Sequence, residues 1–96
     1  MKKISSDEKE KSLEPFLRAG WFYLTERDAI TKKYTFANFV EAFGWMSKAA
    51  IISEKLNHHP EWSNVYKTVE VTLTSHDIQG LSSLDLELAS KLDALS

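Results

Sequence analysis

The chain has 96 residues, 43% hydrophobic and 27% charged, with a formal net charge of -2, three histidines and no cysteine. A chain of this size can bury one core, and a balance so close to neutral offers no broad field for direct nucleic-acid binding. The lack of cysteine excludes a disulfide framework and a thiolate zinc site, and no apolar run approaches the roughly 20 residues that cross a bilayer. Met1-Lys2-Lys3 leads into Ser, Asp and Glu rather than an apolar stretch, so a cytoplasmic protein is expected.

Ser5 with Glu8 three residues on reads as a capping box that opens a short helix. Leu13 and Leu17 are its apolar positions, Pro15 is expected to kink or end it, and Gly20 stops it. Trp21 to Thr25 and Ala29 to Tyr34, joined by Glu26-Arg27-Asp28, read as an antiparallel hairpin. Phe36, Phe39, Val40, Phe43, Trp45, Met46, Ala49 and Ala50 then recur at three- and four-residue spacings, which predicts a long amphipathic helix reaching about Asn57. Pro60 disfavours helical geometry at His59, so the paired His58 and His59 fall where that helix stops.

Trp62 to Tyr66 and Thr68 to Thr74 read as two further strands, the second alternating Val69, Val71 and Leu73 against polar residues. Gly80 breaks the chain, Ser82 to Asp85 supplies a cap with Asp85 at its N3 position, and Leu84, Leu88, Leu92 and Leu95 stripe a closing helix. The order α-β-β-α-β-β-α predicts an α+β fold in which residues 1–96 form one domain, a four-stranded antiparallel sheet with helices packed on one face. Open sheet edges invite pairing between copies, so a homodimer or homotetramer is expected.

All three histidines lie in two polar segments, Glu54 to Trp62 and Thr74 to Asp77. Imidazole gains and loses a proton near neutrality, so the cluster reads as a proton-transfer site or a metal site. Following the long helix through Phe43, Ser47, Ala50, Glu54 and His58 traces an inward stripe that turns polar at its end. Glu54 is then expected beside His58 at i,i+4, where its carboxylate orients the ring for donating a proton. His76 follows the last strand and can return beside the pair. Three imidazoles and a water could instead make a catalytic zinc centre. Adjacent ligands diverging by about 100° on a helix fit that reading poorly, however, and there is no HExxH pattern. Taken singly, Glu54 reads as a solvated helix charge, Trp62 and Trp21 as core aromatics, and Asp85 as a cap.

Asn57 to Tyr66 (NHHPEWSNVY), Val69 to Asp77 (VEVTLTSHD) and Gly80-Leu81-Ser82 closely resemble the pterin-4a-carbinolamine dehydratase family. The likeness extends through Gly20-Trp21, Arg27 to Ile30, Phe39 to Met46, Asp85 and Leu88-Ala89, nearly all of the chain beyond the first helix. It implies dehydration of a 4a-hydroxytetrahydropterin to quinonoid dihydropterin, with no cofactor and no obligatory metal. It also implies a functional link to an aromatic amino acid hydroxylase, which leaves that carbinolamine behind. By position, His58, His59 and His76 match the family's active-site histidines, and Asn57, Thr74, Ser75 and Asp77 match residues lining the pterin pocket. Glu54 and Asp85 match acidic family positions. The resemblance leads us to expect His58, supported by Glu54, as the leading acid-base group, His59 as a pterin holder and His76 as the second acid-base group, with Trp62 and Asp85 in support. It leaves two other functions open, a dimerisation cofactor for a transcription factor as in animal members, and action on another pterin such as one in molybdenum cofactor metabolism.

Overall fold

The computed structural model describes all of residues 1–96. Its elements run α1 (Ser6–Arg18), β1 (Phe22–Leu24), β2 (Ala29–Thr35), α2 (Phe39–Leu56), β3 (Glu61–Val65), β4 (Thr68–Leu73), a 3₁₀ turn (His76–Ile78) and α3 (Ser83–Ala94). The strands form one antiparallel sheet in the order β1-β2-β4-β3, the α+β architecture expected from the order of elements.

Alternation along the strands sorts the sheet into two faces. Ile30 and Tyr34 of β2 and Val69, Val71 and Leu73 of β4 point into a core shared with Leu13 of α1, Ala42, Trp45 and Ala49 of α2, and Leu88, Ala89 and Leu92 of α3. The alternate residues Phe22, Lys33, Glu70 and Val65 lie exposed on the other face. Three helices therefore cover one side of the sheet. Tyr34 and Trp45 stack with centroids 4.4 Å apart, and Asp93 of α3 accepts hydrogen bonds from Trp21 Nε1 (3.0 Å), Lys32 Nζ (2.8 Å) and Tyr34 Oη (2.5 Å). Burial, and then the bond to Asp93, raises the Tyr34 phenol above its ordinary range, so it stays a neutral donor.

Three expectations are corrected. Helix α1 continues through Pro15 to Arg18. The missing amide costs the helix one bond, but Leu13 and Phe16, packed on the core to either side, hold the turn together. Helix α2 starts later than Phe36, because the Asn38 side chain caps it by accepting from Glu41 N at 2.9 Å, while Phe36 N bonds Lys67 O beyond the end of β2. The inward stripe of α2 is Ala42, Trp45, Ala49 and Ser53, and Phe43, Ser47, Ala50 and Glu54 face out. The helix has apolar residues on both sides, and its small side chains allow the close approach to β4 that excludes bulky Phe43 from the inner face.

The same end of the sheet gathers the functional segments. Register Ile30↔Leu73 and Glu61↔Thr72 brings the β1–β2 turn, the end of β4 and the start of β3 together. Asp28, left-handed at φ 52, ties this turn to the segment after β4. Its carboxylate accepts from Lys9 (2.8 Å), Tyr23 Oη (2.6 Å) and Leu81 N (3.2 Å), and its carbonyl accepts from Thr74 Oγ1 (3.1 Å). A Cβ at Gly80 would stand 2.5 Å from Asp28 Oδ2, an oxygen too well held to move freely. Gly80→Ala is therefore expected to cost about 1–3 kcal/mol. Urea unfolding checks this, and an unchanged midpoint would show that the turn yields without cost.

Candidate active site

Helix α2 ends at Asn57, whose left-handed backbone (φ 52, ψ 44) lets its amide bond the carbonyls of Glu54 and Ser53. His58 N then bonds Ser53 O at 3.0 Å, the wrapping bond of a Schellman ending. Asparagine tolerates this conformation better than most residues. The reversal turns His58 inward and sends His59 outward, so the first is buried and the second exposed.

His76 is presented differently. Ser75 and Gly80 pair across a short loop (Ser75 N to Gly80 O, 2.8 Å), and His76 opens the 3₁₀ turn within it. Ser75 Oγ donates to Asp85 Oδ2 at 2.8 Å, fastening the base of this loop to the start of α3. Asp85 is the N3 residue of a capping box, and the same Oδ2 accepts from Ser82 N at 2.9 Å.

These two segments enclose a cavity of about 250 Å³ lined by Met1, Asn57, His58, His59, Pro60, Thr74, Ser75, His76 and Asp77. Asn57, Thr74, Ser75, Asp77 and the three histidines therefore meet around one space, although 15 positions separate the nearest members of the two groups, His59 and Thr74. Trp62 does not line it and packs from β3 against the hydrophobic core.

Each histidine has its own carboxylate. His58 Nε2 lies 2.5 Å from Asp85 Oδ1, His59 Nε2 lies 2.6 Å from Glu54 Oε1, and His76 Nε2 lies 2.7 Å from Glu61 Oε2. A carboxylate accepts, so each ring donates through Nε2–H and keeps Nδ1 for other work. This corrects the expected pairing of Glu54 with His58. The left-handed turn at Asn57 takes His58 off the helix, so i,i+4 spacing no longer applies, and Glu54 on the outer side of α2 meets His59 instead. Asp85 is both a cap and the partner of a buried imidazole, while Glu61 was not anticipated at all. A signal for Glu61 was present, since counting back from the two-residue Tyr66-Lys67 connection places it across from Thr72, four residues before His76.

Arg27 grips Glu61 with two bonds, Nη1 to Oε1 at 2.8 Å and Nη2 to Oε2 at 2.6 Å. That guanidinium first, and His76 second, hold the Glu61 carboxyl down to about 2. Burial works against the charge on Asp28, yet Lys9, Tyr23 and the Leu81 amide together hold its carboxyl below the usual range. Both groups titrate lower folded than unfolded, so their stabilisation is complete above the ordinary carboxylate range, about pH 5, and is lost as pH falls, for Glu61 down to about 2. Urea midpoints should decline across that window, and less steeply in Glu61→Gln. An equal decline in both proteins would contradict the assignment to Glu61.

Known proteins share the sequence and the fold of this chain. Residues 2–95 match the family model described as pterin 4 alpha carbinolamine dehydratase. A relative from Roseobacter denitrificans with the provisional name pterin-4-alpha-carbinolamine dehydratase is 55% identical over 94 residues, covering 98% of this chain and 96% of that one. One from Dinoroseobacter shibae with the same provisional name is 54% identical over 98% and 97% of the two chains. A crystal structure from Brucella melitensis, described as a transcriptional coactivator/pterin dehydratase, superposes with a TM-score of 0.87 at 41% identity over 98% of each chain. The matched region takes in both histidine segments and the carboxylates that hold them, and the chain belongs to the pterin-4a-carbinolamine dehydratase family.

Proposed function

We propose that this protein is a hydro-lyase that dehydrates a 4a-hydroxytetrahydropterin to the quinonoid dihydropterin and water, the activity for which its family and close relatives are named. The observation that carries the reading is the convergence of three imidazoles, each anchored by a carboxylate, on one cavity. The reaction delivers one proton to the departing 4a hydroxyl and removes one from ring N5, leaving a C4a–N5 double bond. No electrons are exchanged with another molecule. His58 and His76, each with Nδ1 free, are the two proton-exchanging groups. His59, steadied by exposed Glu54, holds the pterin with Asn57, Thr74, Ser75 and Asp77. Positioned acid-base groups of this kind contribute about 10²- to 10⁴-fold each.

The substrate ties this function to an aromatic amino acid hydroxylase as supplier. No helix is long and apolar enough to cross a membrane. The exposed Phe39, Val40, Phe43 and Ile51 of α2 and the open edge at β3 support self-association as a homodimer or homotetramer.

The test is a dehydratase assay on freshly generated 4a-hydroxytetrahydropterin, with and without a strong chelator. Faster decay of the carbinolamine, unchanged by chelation, is expected. Decay at the uncatalysed rate would overturn the reading, and a rate abolished by the chelator would return the histidines to a metal centre.

A further inference from the structure

Of the two exposed histidines, His76 is held by a device that lies outside the cavity. His76 borders the histidine cavity on one side and an open groove of about 430 Å³ on the other, lined by Glu26, Arg27, Thr74, His76 and Gln79. No apolar side chain lines that groove, and the ring is 68% exposed. A surface imidazole so placed is free to exchange rotamers, and a bond to an equally free carboxylate would not hold it, since exposed ion pairs contribute about 0–1 kcal/mol. Glu61 is not free. It begins β3, where pairing with Thr72 fixes its backbone, and both its oxygens are engaged by the Arg27 fork. Arg27 in turn stands beside Asp28, which accepts from Thr74 Oγ1 and Leu81 N and so fixes the β1–β2 turn to either end of the His76 loop.

We infer that Glu61, clamped by Arg27, is a positioning residue that fixes the ring direction and the Nε2–H tautomer of His76, so that Nδ1 is the nitrogen available to the pterin. The inference rests on the dehydratase reading for its kinetic consequence, though not for its geometry. The bidentate fork makes the carboxylate a stationary acceptor, and a stationary acceptor selects one tautomer of the ring that donates to it. The low titration of Glu61 keeps it an acceptor throughout the neutral range.

Two measurements test this on the full chain and on Glu61→Gln, Arg27→Met and His76→Ala. Nitrogen-15 imidazole spectra of the free protein, above the titration of the rings, should show His76 as one Nε2–H tautomer in wild type. Both Glu61→Gln and Arg27→Met should give a mixture. In the dehydratase assay, either variant should lower kcat by about tenfold or more with KM within about twofold, because loss of orientation at a reacting group falls on the chemical step. Added to His76→Ala, neither change should slow the enzyme further, since both act through that ring. Arg27 is exposed in a turn and keeps the test open should Glu61→Gln fold poorly. An unchanged tautomer population in both variants, or an undiminished effect of Glu61→Gln in the His76→Ala background, overturns the inference. If wild type gives no acceleration, the dehydratase reading falls and the spectra alone decide whether Glu61 positions His76.

Discussion

Replacing His76 with alanine is expected to slow dehydration by about 10²- to 10⁴-fold while leaving the thermal midpoint close to that of wild type. The ring is exposed and its removal opens no cavity in the core, so folding loses only an exposed bond to Glu61. The reaction is expected to lose one of the two proton-exchanging groups proposed for it. His58 differs because it is buried against Asp85, and His58→Ala would strip a buried carboxylate of a donor. His58→Gln is the cleaner variant, since its amide can still donate to Asp85 but cannot take up a proton near neutrality. It should lose rate by a similar factor. Stopped-flow decay of the carbinolamine with calorimetry on the same samples checks both variants, and full rates in both would remove these residues from the reaction.

The second large effect concerns stability. Asp85 is fully buried, and its two oxygens receive His58 Nε2, Ser75 Oγ and Ser82 N at 2.5–2.9 Å. Through them it joins the end of α2, the loop carrying His76 and the start of α3. Asp85→Ala takes the acceptor from His58 Nε2 and Ser82 N and leaves Ser75 Oγ only Ser82 Oγ at 2.8 Å, and each buried donor left unpaired costs about 1–3 kcal/mol. A total loss of about 3–5 kcal/mol is expected, a large share of the 5–15 kcal/mol typical of a small domain. Asp85→Asn keeps the shape but offers one acceptor oxygen, so a smaller loss is expected, with the Ser75 loop and His58 both less firmly placed. Urea unfolding gives the stabilities, and activity at matched folded fraction gives the second effect. A stability within about 0.5 kcal/mol of wild type for Asp85→Ala would show that the three donors find other partners.

What could be read from the sequence, and what could not, follows from the range of the interactions concerned. Period-two alternation in Val69, Val71 and Leu73 and three- and four-residue spacing through α2 are local, and they led to the right elements in the right order. The polar segments around His58 and His76 were visible as a cluster, and the antiparallel return of β4 beside β3 brings them together. The pairings of His58 with Asp85 and of His76 with Glu61 are long-range and were not read, and the local one was given to the wrong ring, because the turn at Asn57 hands Glu54 to His59. His58 finds Asp85 27 positions away, and Glu61 finds both His76 and Arg27. The inner side of α2 was misread for a related reason. Apolar residues occur on both sides of the helix, and only its approach to the sheet selects Ala42, Ala49 and Ser53 over Phe43. Pro15 shows tertiary packing overriding a local preference, because Leu13 and Phe16 keep α1 helical across a residue that would end it in isolation.

The central claim is that His58, His59 and His76 address one pterin in one cavity. Titrating the labelled protein with an unreactive dihydropterin while following the three imidazole signals tests it most directly. All three should shift along a single saturation curve ending at one ligand per chain. Saturation that moves the His58 and His59 signals and leaves His76 untouched would contradict the account.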